Sequence, residues 1–320
     1  MTASSAPILI GESRVMRNLR ALIATAAAVP LPVLIEGPTG AGKELVAGAL
    51  HAQSGRRGRM VAINVCAVCD TMFEDALFGH VRGAFTGAVR DRLGFMREAD
   101  AGTLFLDEIG GLTLPLQATL LRALETKQVR PVGGHHDVRA DTRVIAATNE
   151  PMHALLAADR FRRDLAHRLM GVVIRVPSLR ERAEDIDPLA RHFLGQAGHP
   201  FARIAAGALR RLQAYPWPGN VRELRQVIEW SDALSGGCLS EQVIDQALAE
   251  RGGFGAGDAA CYLDRDELRD LLARHRWNTD SAARELGIHR ATVYRRMKRL
   301  HLSPPRSAGR VPATNQQASG

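Results

Sequence analysis

Gly37-Pro-Thr-Gly-Ala-Gly-Lys43-Glu44 follows a short apolar stretch, Val33–Glu36, and runs straight into a helical pattern. Glycines at that spacing (Gly37, Gly40, Gly42) let a loop wrap tightly. Its N–H groups and the following helix N-terminus then face an anion, while Lys43 reaches the outer phosphates of a nucleotide. The eighth position is Glu44, where a Ser or Thr would usually help to hold magnesium. Further on, Leu104-Phe-Leu-Asp107-Glu108 sets two carboxylates at the end of an apolar run. Asp107 there could hold magnesium through water, and Glu108 could polarise an attacking water. Ala146-Ala-Thr148-Asn149 ends another such run, and its amide could position the same water. Arg162 and Arg168 flank a helix-like stretch and have the side chain suited to charge on a transferring phosphoryl group, supplied in cis or from a neighbour. Taken singly, a strand ending in two acids or an arginine on a solvated face is common. The combination of phosphate loop and paired carboxylates points to hydrolysis of a nucleotide, ATP with Mg²⁺.

Those residues must be presented by a sheet. Leu31–Glu36, Met60–Asn64, Gly102–Asp107, Arg143–Thr148 and Gly171–Val176 are short apolar runs, with helical stretches such as Glu44–Gln53 and Leu114–Thr126 between them. Alternation of that kind predicts an α/β fold with a parallel sheet covered on both faces, its ligands at the C-terminal strand ends. The rhythm stops after residue 176. Asp185–Ala197, Ala205–Ala214, Val221–Leu234 and Ser240–Glu250 read as a helical lid over 177–251. Gly252–Cys261 reads as a linker, 262–302 as a small all-α module and 303–320 as a tail that need not fold.

The chain has 320 residues, 46% of them hydrophobic, so it can bury a sizeable core. It has no run of 18 apolar residues and no basic-then-apolar leader, which makes the cytoplasm the default and a membrane partner unexpected. Cys66 and Cys69 have metal-like spacing, but Cys238 and Cys261 lie far away, so thiols without a metal are the simpler reading. The formal net charge is +8 and uneven: residues 1–250 carry 29 basic and 27 acidic side chains (+2), whereas 262–302 carry 10 and 6 (+4). Concentrated basicity of this sort suits a polyanion.

The segment Gly83-Ala84-Phe85-Thr86-Gly87-Ala88 then resembles, at all six positions, the hexapeptide loop of sigma-54-dependent activators, the bacterial enhancer-binding proteins. These are AAA+ ATPases, and the resemblance covers roughly residues 8–302. It implies that Gly37–Glu44 is the family's phosphate loop, Glu44 included, and that Asp107 and Glu108 are its magnesium and water-activating carboxylates. Asn64 then matches the switch residue that engages the catalytic glutamate, Thr148-Asn149 the first sensor, and Arg162 and Arg168 the arginines projected into a neighbouring subunit's site. Trp217-Pro-Gly-Asn-Val-Arg222-Glu-Leu224 is similar to the second-sensor segment, with Arg222 reading the nucleotide, and Arg130–Arg139 falls on a second surface loop. Phe85 and Thr86 become the contact to sigma-54 in the RNA polymerase holoenzyme, and a homo-oligomer, the hexamer, becomes the working assembly. The sequence departs from the family at Ala76, where a glutamate is usual, and at Ala166 and His167, where aromatics are common. The ATPase block starts near Ile8, so no N-terminal regulatory domain is expected, and control would fall to a separate regulatory protein or to the protein's own abundance.

In the basic segment, Leu268, Leu271 and Leu272 give one helix an apolar face. Asn278-Thr279-Asp280 looks like a cap, Gly287 a stop, and His289–Leu300 a second helix in which Val293, Met297 and Leu300 can face inward. That matches helix-turn-helix geometry and resembles the family's Fis-like DNA-binding domain. Arg290, Thr292 and Arg296 are the candidates for base contacts, and Arg295 and Arg299 for phosphate contacts, on double-stranded upstream DNA. A DNA-binding repressor with a vestigial ATP site is the rival function. The presence of Phe85, Thr86, Asp107, Glu108 and both arginines argues against it, and the hexapeptide argues against an unrelated AAA+ loader or chaperone.

Overall fold

The structure, a computed structural model, describes residues 8–255, 265–275 and 277–285 together with positions 293, 297 and 302. In chain order the first block runs α1 (Arg14–Ala27), β1 (Val33–Glu36), α2 (Lys43–Gln53), β2 (Met60–Asn64), α3 (Asp70–Phe78), β3 (Gly79–His80), β4 (Arg92–Leu93) and α4 (Phe95–Glu98). It continues with β5 (Thr103–Asp107), α5 (Leu114–Thr126), β6 (Gln128–Val129), β7 (Val138–Arg139), β8 (Arg143–Thr148), α6 (Met152–Ala157), α7 (Arg163–Leu169) and β9 (Val172–Arg175). Next come α8 (Ile186–Gln196), β10 (Arg203–Ile204), α9 (Ala206–Ala214), α10 (Asn220–Ser235), β11 (Cys238–Leu239) and α11 (Glu241–Gly255). Then follow α12 (Arg265–Arg274) and α13 (Thr279–Glu285).

Five strands form one parallel sheet in the order β2-β5-β8-β1-β9. Successive side chains of a strand point to opposite faces, and the core divides accordingly. Leu34, Leu104, Leu106 and Val144 join a cluster with Phe73 of α3, Leu120 of α5 and Leu165 of α7. Val33, Ile35, Phe105 and Ile145 face the other way, against Ile23 of α1 and Leu50 of α2. Strands buried on both faces need continuous apolar runs, which is why the sequence showed runs rather than alternation. β1 lies inside the sheet, so the phosphate loop opens between the ends of β8 and β9.

Helices dominate the block after β9, but a two-residue parallel pairing joins its ends, Arg203 with Cys238 and Ile204 with Leu239. Two residues give no readable period, and the same holds for the hairpins β3/β4 and β6/β7. α11 runs to Gly255, four residues into the stretch read as a linker. By its contacts the chain divides into two compact units, residues 1–244 and 245–320. In the second unit Leu268, Leu271, Leu272, Ala282, Val293 and Met297 bury against one another. Asn278 caps α13, its Oδ1 accepting the Asp280 and Ser281 N–H groups at 3.0 and 3.1 Å. Arg290, Thr292, Arg295, Arg296, Arg299 and Leu300 lie outside the described residues.

One buried carboxylate ties the start of the first unit to its lid. Asp185 Oδ1 accepts the Glu12 and Ser13 N–H groups at 2.7 and 2.8 Å, and Oδ2 accepts the Ser13 hydroxyl at 2.6 Å. Ser13 in turn caps α1, accepting the Met16 N–H at 3.3 Å. Asp185→Ala leaves these donors unpartnered and is expected to cost about 2–3 kcal/mol, read as a lower urea midpoint by tryptophan fluorescence. Asp185→Asn keeps an acceptor and should lose less than about half of that.

Candidate nucleotide site and its coupled loops

Parallel strands send all their C-terminal ends to one edge, and the candidate residues collect there. Gly37 leaves β1 with its N–H donating to Thr148 O of β8 at 3.2 Å, so the phosphate loop starts beside Asn149. Gly40 (φ 76°) and Gly42 (φ 105°) take left-handed conformations, and Gly42 sits at the N-terminus of α2. At Gly40 a Cβ would lie 2.2 Å from Gly219 O, so the loop and the 217–224 segment touch backbone to backbone. That seam is closed by two further bonds. The Arg222 N–H donates to Gly40 O at 3.3 Å, and Asn220 Nδ2 donates to Thr39 O at 3.0 Å. Asn220 is buried in a left-handed conformation (φ 52°), and its Oδ1 accepts the Leu179 N–H at 2.8 Å. Its position in Trp-Pro-Gly-Asn was the only sequence signal for it, since Asn tolerates such backbone better than most residues.

Lys43 is nearly buried, and its Nζ donates to Gly37 O and Pro38 O at 2.9 and 3.3 Å. Burial holds its pKa below the usual lysine range, while Asp107 and Glu108 pull it back up and Arg222 adds to the lowering. Asp107, two strands away on β5, is raised above the ordinary carboxylate range, chiefly by burial, against the pull of the Glu108 N–H, Lys43 and Arg222. The four charges Lys43, Asp107, Glu108 and Arg222 therefore share one field. Glu44 is exposed on the first turn of α2. The cradle of N–H groups, a buried ammonium and two acids at one strand end fit a nucleotide triphosphate with a hard cation.

Glu108 takes a left-handed conformation (φ 59°, ψ 39°), held by the Gly111 N–H donating to its carbonyl at 2.9 Å. That carbonyl also faces Cys66 Sγ at 3.6 Å. A Cβ on Gly111 would sit 2.1 Å from the same sulfur, so a larger residue there would displace the Cys66 side chain. Partial burial and the neighbouring Glu108 push the Cys66 thiol above its ordinary range. The Glu108 carboxylate accepts Asn64 Nδ2 at 3.0 Å, and Asn64 Oδ1 accepts the Cys66 N–H at 2.9 Å. Asn64 and Asp107 are register partners on β2 and β5. No cluster of three metal-ligating side chains occurs among the described residues.

Asn149 is exposed beside Gly37 and Pro38 in a cleft of about 850 Å³, while Thr148 is buried, its hydroxyl donating to Glu150 O at 2.8 Å. Glu36 was not foreseen. It ends β1 as a buried carboxylate, accepting the Met152 N–H at 2.8 Å and Arg175 Nε at 3.3 Å, and so braces the loop that carries Asn149. A smaller, mostly apolar cleft of about 350 Å³ opens on the other side of the phosphate loop, between Ile8–Ile10, Leu45 and Val221.

Arg162 and Arg168 are placed elsewhere. Arg162 caps α7, its Nε and Nη2 on Asp164 at 3.1 and 2.7 Å, while its N–H donates to buried Gln117 Oε1 at 2.8 Å. Arg168 Nη2 donates to Leu124 O at the end of α5 at 3.0 Å. Ala166, between them, is fully buried against the core, and His167 is exposed. The hexapeptide forms the tip of the β3–β4 hairpin, pinched by Gly83 N–H to Ala88 O at 2.8 Å and Ala88 N–H to Phe85 O at 3.0 Å. Phe85 is 40% exposed and Thr86 is exposed. The second loop, 130–139, packs on its root. Val81 N–H donates to Val132 O at 3.1 Å, and Val132 N–H donates to Gly79 O at 2.8 Å.

Comparison with known proteins decides the family. Residues 9–175 match the sigma-54 interaction domain, 180–253 the AAA+ ATPase lid domain and 263–300 the Fis family of bacterial regulatory proteins. The chain belongs to the sigma-54-dependent activators. It is 40% identical over 320 residues to the response regulator protein PilR of Pseudomonas aeruginosa, covering 93% of this chain and 71% of that one. It is 42% identical over 293 residues to the hydrogenase transcriptional regulatory protein HoxA of Cupriavidus necator, covering 85% and 61%. Among solved structures it resembles NtrX from Brucella abortus in complex with ADP, with TM-score 0.69 and 32% identity, over 92% of this chain and 69% of that one. NtrX has also been solved with ATP. The chain thus spans only part of the length of such activators. No helix among the described residues is long and apolar enough to cross a membrane.

Glu108→Gln preserves shape and the Asn64 contact but removes the carboxylate that would serve as base. Steady-state ATP hydrolysis is expected to fall at least about 100-fold while nucleotide still binds. Turnover within about threefold of the parent, measured by phosphate release, would remove Glu108 from this role.

Proposed function

We propose that this activator hydrolyses ATP in a ring of identical subunits, a hexamer, and uses the cycle to remodel sigma-54 RNA polymerase at a closed promoter while its C-terminal module holds upstream DNA. The observation that carries the reading is the Asn64–Glu108 hydrogen bond, 3.0 Å long, on the strand that leads into α3 and the hexapeptide hairpin. A carboxylate able to orient water is thereby wired to the exposed tip.

In this reading the purine occupies the apolar cleft between Ile8–Ile10 and Val221, and the loop N–H groups with Lys43 take the phosphates. Lys43 would exchange its bonds to Gly37 O and Pro38 O for phosphate oxygens. Asp107 would hold Mg²⁺ through water; the cation shields the β- and γ-phosphate charge when bound. Glu108 orients and activates the water, Asn149 helps to position it, and Arg222 reports the nucleotide to the lid through its bond to Gly40. Arg162 and Arg168 make their contacts on α5 and α7, which suits side chains that act on a neighbour's phosphates. Phe85 and Thr86 meet sigma-54, and Arg290, Thr292, Arg295, Arg296 and Arg299 meet DNA. A separate regulatory protein acting on ring assembly fits this scheme.

Two experiments test it. Thr86→Ala is expected to hydrolyse ATP and bind promoter DNA yet form no open complexes on a duplex sigma-54 promoter; near-parental activation would sink the assignment of the tip. An equimolar mixture of Arg162→Ala and Lys43→Ala proteins should regain part of the ATPase activity that each lacks. In a mixed ring, Arg162 of the Lys43 variant can complete the other subunit's intact phosphate site. No recovery in mixtures that co-sediment as rings would rule out a shared site.

A further inference from the structure

The aromatic of the hexapeptide is not held by its own glycine-flanked tip. Its ring meets the imidazole of His80 edge-on, with centroids 5.0 Å apart and planes at 69°. His80 ends β3 at the root of the hairpin and is only 8% exposed. Its Nδ1 hydrogen-bonds Asp75 Oδ1 on α3. Asp75 is 5% exposed, and its other oxygen accepts Arg92 Nη1 of β4 at 3.3 Å. His80 and Arg92 are register partners across the hairpin, so one carboxylate on α3 grips both strands of the loop. Whether the imidazole is neutral with its proton on Nδ1 or is the cation, it donates to Asp75 in the same geometry.

α3 is also the first α-helix after Asn64, the residue that holds Glu108. Asn64 holds Glu108 and accepts the Cys66 N–H, a single 3₁₀ turn (Val65–Ala67) follows, and Cys69 precedes the first residue of α3. A shift of the Asn64 end of α3 therefore moves Asp75, and with it His80. Ala76 is buried, and the loop-gripping carboxylate comes from the residue before it.

We infer that His80 is a positioning residue for the sigma-54-facing tip: fixed to α3 through Asp75, it seats Phe85 edge-on and passes the displacement of α3 to the loop. The inference rests on the proposed contact of Phe85 and Thr86 with sigma-54. It separates two functions of one side chain, a ring for Phe85 and a donor for Asp75.

The test uses the whole chain with His80→Ala, His80→Asn and His80→Phe, and Thr86→Ala as the reference for loss of activation. Binding to purified sigma-54 is measured in the ADP state and in the state trapped by ADP with aluminium fluoride, alongside ATPase rate and melting temperature. His80→Ala and His80→Asn lack the ring and are expected to bind sigma-54 in the trapped state at least about tenfold more weakly, with ATPase within about twofold of the parent. His80→Phe keeps a ring but not the link to α3. It should bind to within about threefold of the parent in the trapped state and lose most of the discrimination between trapped and ADP states. Parental binding and discrimination in all three variants, with Thr86→Ala inactive, would overturn the inference and leave the reading of the tip intact. A parallel fall of ATPase, melting temperature and binding would also overturn it, by making His80 a packing residue. Full activation by Thr86→Ala would overturn both.

Discussion

The chemistry of this chain depends on one geometric constraint: a parallel sheet can offer its C-terminal ends along a single edge only. β1, β8, β5 and β2 deliver the phosphate loop, Asn149, the Asp107–Glu108 pair and Asn64 to neighbouring places on that edge. Register fixes the details, because Glu36 pairs with Thr148 and Asn64 pairs with Asp107. The price is burial of charge. Lys43 and Asp107 are both pushed toward neutrality by desolvation, and each is partly restored by the other. An ammonium and a carboxylate kept in that balance are poised for a multiply charged ligand that brings its own counter-ion.

From this edge two seams lead outward, and they differ in kind. The seam to the lid is made mostly of backbone. Gly40 and Gly219 approach so closely that no side chain fits, and Asn220 and the Arg222 N–H close it with two bonds to the phosphate loop. Backbone contacts of this kind transmit small displacements because neither partner has a rotamer to yield. The seam to the hexapeptide hairpin is made of side chains. It begins at Glu108, whose left-handed conformation costs about 1–2 kcal/mol and is held by Gly111 and the space Gly111 leaves for Cys66. Asn64 bridges Glu108 and the Cys66 N–H, so a nucleotide that drew the carboxylate away would break a bond at the start of the path to α3.

The sequence was informative wherever the signal is local. The bounds of β2, β8 and α5 could be read directly, and β1, β5 and β9 needed only trimming at their ends, because apolar runs stop where strands stop. The loop glycines, the acid pair and the hexapeptide are contiguous motifs with a mechanism attached to their spacing. Residues whose partners are distant in the chain carried no such signal. Asp185 meets Ser13 172 positions away, Asn220 meets Thr39 181 away, and Glu36 meets Met152 116 away. Asp75 and His80 are close in sequence, but a buried Asp and His five apart look like any polar pair until the hairpin folds their side chains together.

The surroundings of the two arginines fit the proposal that a site is shared between subunits. Arg162 is held twice, its guanidinium on Asp164 and its N–H on Gln117 Oε1, and the Gln117 amide nitrogen in turn donates to Leu112 O and Arg160 O at 2.8 and 3.0 Å. Such a lock fixes the direction in which the guanidinium leaves α7, and the Asp164 contact is an exposed one that solvent screens. A phosphate competes for an exposed arginine at little cost, whereas pulling one from a buried pair would be expensive. Arg168, by contrast, gives one N–H to Leu124 O and keeps the rest of its planar fork for other acceptors. Rigid placement with an easily exchanged partner is what a side chain needs if it is to meet charge only when a second subunit presents it.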